Sequence, residues 1–263
     1  MHFFYVLFVV ILCALIAICV YLCKKIVSLR NDVQHAKTVA NARGVFVNMS
    51  AHDFRNHLTT IKMAAEMLAF NKCKISQDLL DTIVRNITCG VQNLSTMIND
   101  MMLLGKLQYD QISFSPKSVN ILQLCHEIAR EHDKNLSRTE LSTYDFVPNA
   151  VNIDVTLFRH ILSNLLSNAL KYSQKTVHIN MSLEGKFLVL KVIDHGIGIP
   201  EKDIPTIANI FERCANAKQI SGTGLGMYIV SQCVNLHNGK MYIKSKLNCG
   251  TTVVVKLPCN QIL

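Results

Sequence analysis

Residues 154–172, DVTLFRHILSNLLSNALKY, decide how the second half of the chain folds. Asp154 is a good N-cap, and apolar residues follow it at helical spacing, which predicts one long helix. Asn164, Asn168 and Lys171 share a face of that helix at steps of four and three. Ile161, Leu165 and Ala169 lie on the same face, so the amides stand among apolar neighbours and need polar partners. A magnesium ion and phosphate groups would supply them, since Mg2+ keeps several waters and bridges phosphate oxygens. A solvated polar face is the other reading of the same spacing.

Downstream, TVHINMSLEGKFLVLKVID (176–194) predicts two strands around a Glu-Gly turn. Asp194 closes the second strand and enters DHGIGIP, where a fixed carboxylate can accept an amino hydrogen. Gly196 and Gly198 allow close approach there. SGTGLGMYIV (221–230) then runs Gly222, Thr223, Gly224, Leu225 and Gly226 into a further helix. Backbone N–H groups at a helix start form a phosphate cradle. The glycines follow a long loop rather than a strand, which excludes a dinucleotide fingerprint, and no G-x-x-x-x-G-K-[ST] loop exists. Residues 240–258 predict a last hairpin. Upstream, the sequence predicts a short strand near Ile112–Phe114, a helix near Ile121–His132 and a strand in LSTYDFV (141–147). Strands interleaved with helices make this part an α/β sandwich.

The first half reads differently. Apolar residues recur in alternating steps of four and three at Val47, Ala51, Phe54, Leu58, Ile61, Ala65 and Leu68. They do so again at Leu80, Val84, Ile87, Val91, Leu94, Ile98 and Met101. Two long helices with one narrow seam each predict an antiparallel hairpin. Such a hairpin buries its seams best by dimerising into a four-helix bundle. In this register His52 sits on the outer face, with Asn56 one turn along, and His57 flanks the seam.

Before the hairpin, residues 3–23 form an unbroken apolar run, FFYVLFVVILCALIAICVYLC. At about 1.5 Å per residue it spans about 32 Å, enough for a bilayer core. Lys24 and Lys25 close it and nothing basic precedes it, which predicts a single-pass signal anchor in the cell membrane with the rest of the chain cytoplasmic. Residues 24–44 read as a helix leaving the membrane. The net charge of +9 has part of its source in this cluster, Lys24 to Arg43. No basic run with interleaved aromatics occurs and Trp is absent, so nucleic acid is excluded as a partner. The ten cysteines include no C-x-x-C pair, which leaves them as small apolar residues in a reducing compartment.

The ordered set of motifs carries more than any one of them. A His-Asp-x-x-Asn helix (His52, Asp53, Asn56), then NLLSNALKY, then D-x-G-I-G-I, then GTGLG resembles the sensor histidine kinases of two-component systems, over residues 45 to 258. The resemblance implies a dimerisation and phosphotransfer domain over 45–105. It also implies an ATP-binding domain over 110–259, with the Bergerat-type fold shared with gyrase and Hsp90-type chaperones. It makes His52 the phosphoacceptor, oriented by Asp53, with Asn56 placing a water for phosphatase activity toward a regulator. Asn168 would hold Mg2+, Asn164 and Lys171 would support metal and phosphates, and Tyr172 would pack by the base. Asp194 would accept from adenine, and Gly196, Gly198 and Gly222 to Gly226 would frame the lid and phosphate loop. The implied partner is the receiver domain of a separate response regulator. Two departures stand out. His57 occupies a position where many members have proline, and the lid continues Phe211-Glu212-Arg213 with CANAK, lacking the usual second aromatic. A membrane-tethered pseudokinase scaffold is the alternative these departures keep open, and a chaperone-type ATPase leaves the histidine hairpin without a use.

Overall fold

The computed structural model describes residues 25, 54–69, 76–108, 112–143, 150–217, 220 and 222–259. Residues 52–263 form one compact unit. The expected anchor, the segment after it, and His52 and Asp53 lie outside the described residues. Among the described residues no helix is long and apolar enough to cross a membrane.

This unit starts with helix α1 (residues 54–69), followed by α2 (Gln77–Gln108). Ser76 opens α2: its hydroxyl accepts from the Leu79 N–H, and Asp78 in the first turn and Lys106 in the last match the helix dipole. The hairpin is present, and its inner seam keeps part of the expected stripe and adds Ala64, Ile83, Met97 and Leu104. Leu80, Ile83, Ile87, Leu94, Met97 and Leu104 of α2 are buried or half-buried, as are Ile61, Ala64 and Leu68 of α1. Gly90 belongs to this seam, because a Cβ there would stand 2.8 Å from Ile61 Cγ1. Four large members of the expected seam face outward instead: Leu58 is 56% exposed, Val84 50%, Val91 52% and Ile98 47%. The stripe on α2 is therefore wide enough for two contacts, and sequence counting merged them. His57 is half-buried, its carbonyl 3.7 Å from where a Gly90 Cβ would be.

After α2 come β1 (Lys117–Val119), α3 (Ile121–His132), β2 (Thr139–Thr143), β3 (Val151–Ile153) and α4 (Val155–Tyr172). Then follow β4 (Val177–Glu184), β5 (Phe187–Asp194), α5 (Gly226–Leu236), β6 (Lys240–Lys246) and β7 (Gly250–Pro258). The strand expected at Ile112–Phe114 is extended chain without sheet partners. The pairing falls instead on β1, which joins β3 as an antiparallel two-stranded ribbon. The main sheet runs β2-β4-β5-β7-β6, parallel only between β2 and β4. Its register stacks one apolar row across three strands: Ile179 opposite Val192 opposite Val253, and Met181 opposite Leu190 opposite Val255. Against the sheet lies α4, whose Phe158, Ile161, Leu162 and Leu166 are fully buried, with α3 and α5 packed on it. The other face of β6 carries Lys240, Tyr242, Lys244 and Lys246 to solvent, the usual one-wet-face pattern of an antiparallel sheet.

Asp154 fixes where α4 begins. One carboxylate oxygen accepts from Thr156 N (3.0 Å) and Leu157 N (3.1 Å), and the other from Ser115 N (2.9 Å) in the linker after α2. Asp154→Ala is expected to cost about 2 kcal/mol, the upper range for a cap, because three donors lose their acceptor. Urea unfolding at neutral pH measures it. The buried thiols Cys125 and Cys233 are pushed by burial up to about 12 and stay protonated, consistent with a packing role.

Candidate nucleotide site

Because α4 is buried on its sheet side, its amide face points along the layer toward the loops at the end of β5 and the start of α5. Asn164, Asn168, Lys171, Tyr172 and Asp194 line one cavity of about 420 Å3, together with Gly198, Gly222, Thr223, Gly224 and Gly226. Of the residues singled out in this domain, Gly196 and Leu225 do not line it. Leu225 is fully buried beneath, and Gly196 stands behind the wall as support.

The amide of Asn164 donates from Nδ2 to His160 O (2.9 Å), which leaves Oδ1 facing the cavity mouth. A Cβ on Gly226 would stand 2.8 Å from that oxygen and 3.7 Å from Asn168 Nδ2. Lys171 Nζ sits 5.0 Å from the Tyr172 ring centroid, and a Cβ on Gly222 would come within 2.6 Å of it. Glycines thus keep open a space bounded by amide oxygens, an ammonium and backbone N–H groups. The first turn of α5 has no side-chain cap, in contrast to α4, so its N–H groups remain for an anion. Gly224 holds φ +71 while packing on the Phe211 and Glu212 backbone, which draws the lid over the α5 start.

At the opposite end, Asp194 Oδ1 accepts from Gly196 N at 2.8 Å. Burial raises the Asp194 carboxyl above the usual carboxylate range, opposed by the N–H groups of Gly196 and Thr251. Val192, Ile197, Ile199 and Val253 surround it with apolar wall. A polar acceptor set in an apolar slot suits a flat heterocycle with an amino group, and the opposite end suits phosphates.

Residues 153–261 match the family described as histidine kinase-, DNA gyrase B- and HSP90-like ATPases, and residues 42–110 match the His Kinase A phospho-acceptor domain. In this order the two matches make the chain similar to the sensor histidine kinases of two-component systems. It is 28% identical to the sensor histidine kinase WalK of Bacillus subtilis over 239 residues, 86% of this chain and 38% of that protein. It is similarly related to the Bacillus subtilis sensor histidine kinase YvrG, at 28% over 235 residues, 87% of this chain and 40% of that protein. The chain thus spans less than half the length of these curated relatives. The histidine kinase AdeS of Acinetobacter baumannii has a similar fold, with a TM-score of 0.57 at 18% identity over 80% of this chain and 98% of that one.

Two features of the site escape sequence reading. The lid lacks a second aromatic, yet it is tied by polar contacts: Arg213 donates to the carbonyls of Ala217 (3.0 Å) and Ile220 (2.5 Å), and Asn216 Nδ2 donates to Gly198 O (2.9 Å). Backbone carbonyls leave no trace in a motif. The second is a wall from the hairpin. His57 of α1 and Asn93, Thr96, Met97 and Asp100 of α2 line the same cavity as Asn168 and Asp194. Asp100 is only 8% exposed, and burial alone pushes its carboxyl up to about 6.

Proposed function

We propose that this chain is a protein-histidine kinase that autophosphorylates His52 from ATP and passes the phosphoryl group to an aspartate of a separate response regulator. The observation that carries the reading is the cavity itself. Amides, lysine and an uncapped helix start stand at one end and a raised carboxylate in an apolar slot at the other, with the phosphoacceptor-domain hairpin forming a wall.

The donor set fits a magnesium nucleotide. Among the described residues no three His, Cys, Asp or Glu side chains converge to hold a cation, so an ion would be shared between Asn168 and phosphate oxygens. When bound, Mg2+ would neutralise charge between the outer phosphates. Lys171 and the α5 N–H groups hold the phosphates, with Asn164 beside them. Asp194 accepts from the adenine amino group and Tyr172 packs by the base. The neutral His52 imidazole then gives a nitrogen lone pair to the γ-phosphorus. The N–P bond forms as the P–O bond to ADP breaks, ADP leaves with that electron pair, and Asp53 takes up the proton of the other ring nitrogen. Asn56, exposed on α1, orients water for regulator dephosphorylation.

Residues 3–23 anchor the chain in the cell membrane, with residues 24–44 leading to the hairpin. The outward stripe of Leu58, Val84, Val91 and Ile98 supports a homodimer through a four-helix bundle. Val91→Glu is expected to convert the dimer to a monomer in light scattering while leaving nucleotide binding intact. For the kinase reading, the full chain in detergent is incubated with γ-labelled ATP and Mg2+. Acid-labile, base-stable label is expected, whereas ATP binding without label would leave a scaffold. The polar ties of the lid supply the anchoring that the missing aromatic would have given, which weighs against that scaffold.

A further inference from the structure

We propose that phosphoryl transfer occurs within one polypeptide: the nucleotide cleft of a chain serves the phosphoacceptor of that same chain and not that of its dimer partner. The inference rests on the kinase reading and adds to it the identity of the acceptor subunit.

Three observations carry it. First, the cavity that holds Asn168, Lys171 and the Gly222–Gly226 loop is closed on one side by His57, Asn93, Thr96, Met97 and Asp100 of its own hairpin. His57 lies five residues from His52, and chain geometry limits their Cα separation to about 18 Å whatever the path between them. Second, α2 itself packs on α5, the helix whose N-terminus faces the phosphate end. Third, the linker is short and fastened. Five residues lie between Gln108, the last of α2, and Phe114, six Cα steps with a reach of about 21 Å at most. At its far end the Phe114 ring stands edge-on to His237, with centroids 5.1 Å apart, and Ser115 N is bonded to the α4 cap Asp154 at 2.9 Å.

Delivery of the partner's histidine would require this hairpin wall to leave the cavity. That movement uncovers Met97, which is 5% exposed, and leaves the cleft tethered by the same fastened linker. Transfer within the chain requires no such vacancy. The bonds made and broken are those given above, with acceptor and cleft in one polypeptide.

The test uses full-length chains carrying two different affinity tags. His52→Gln keeps the nucleotide site and lacks the acceptor; Asn168→Ala keeps the acceptor and lacks the phosphate-end amide. Mixed dimers are co-expressed, isolated by two successive tag steps and incubated with γ-labelled ATP and Mg2+ beside wild type. The inference expects only background label in the mixed dimer. Label near half that of wild type, one acceptor of two being served, would overturn it. A second measurement uses the Val91→Glu monomer. It is expected to label at the wild-type rate per chain and at a rate independent of protein concentration; loss of label on monomerisation, or second-order labelling, would overturn the inference. Absence of label in wild type itself would overturn the kinase reading instead.

Discussion

Gly196→Ala is expected to weaken ATP binding at least about 100-fold, a loss of roughly 3 kcal/mol, while the helical hairpin stays folded. An alanine Cβ at this position would lie within van der Waals exclusion distance of the Tyr172 carbonyl: 2.1 Å from its oxygen and 2.6 Å from its carbon. Neither side can yield freely. Tyr172 O ends α4 and accepts from Ile197 N (3.2 Å), and Gly196 N is the donor that orients Asp194 (2.8 Å). Relief of the clash therefore moves Asp194, Tyr172 or both, and these are the two residues assigned to the base. Gly185→Ala, in the β4–β5 turn where an added methyl meets no atom within 4 Å, is the control. It is expected to cost about 1 kcal/mol of stability for its positive φ and to leave ATP affinity unchanged. Calorimetric titration with a non-hydrolysable ATP analogue measures both. Equal affinity for Gly196→Ala and wild type would contradict the role given to this loop.

Asp100→Asn is expected to stabilise the fold above neutrality by up to about 3 kcal/mol. Burial pushes the folded carboxyl up to about 6 from an ordinary 3.8. The folded protein therefore binds this proton more tightly than the unfolded chain does. Below about pH 4 both states are protonated and the position carries no ionisation penalty. Between pH 4 and 6 the penalty grows, and above 6 it is complete, so the stabilising contribution is lost as pH rises. Asparagine is neutral and of the same shape, so the two proteins should unfold alike at pH 4 and diverge by pH 8. Urea unfolding at pH 4, 6 and 8 reads this directly; parallel curves for the two proteins would show that Asp100 is solvated. Since Asp100 also faces the nucleotide cavity, removing its charge should tighten binding of the triphosphate.

The buried acid shows where sequence reading stops. The α4 face was legible because Asn164, Asn168 and Lys171 are spaced by one helical turn, and a helix turns spacing into geometry without help from the rest of the fold. The loop glycines were legible as motifs, but what confines them was not: Gly198 is hemmed in by the Lys246 backbone and Gly226 by Asn164, both distant in sequence. The hairpin seam was misjudged because α2 carries apolar residues on two adjoining faces. Ile83, Met97 and Leu104 turn inward while Val84, Val91 and Ile98 turn out, and periodicity alone does not rank them. The β1–β3 ribbon was missed since two three-residue strands separated by more than thirty residues give no local alternation. Nothing near Asp100 in sequence tells that it lines the same cavity as Asn168, because α2 reaches that cavity only when it settles beside α5.

The central claim is most directly tested by locating the phosphoryl group. Wild type, His52→Gln and His57→Gln full-length chains are incubated with γ-labelled ATP and Mg2+, and acid-labile label is measured with ATP affinity in parallel. The account predicts label in wild type and in His57→Gln, none in His52→Gln, and ATP affinity retained in His52→Gln. Label that survives His52→Gln, or that disappears only with His57→Gln, would contradict it and place the chemistry on the histidine that lines the cavity.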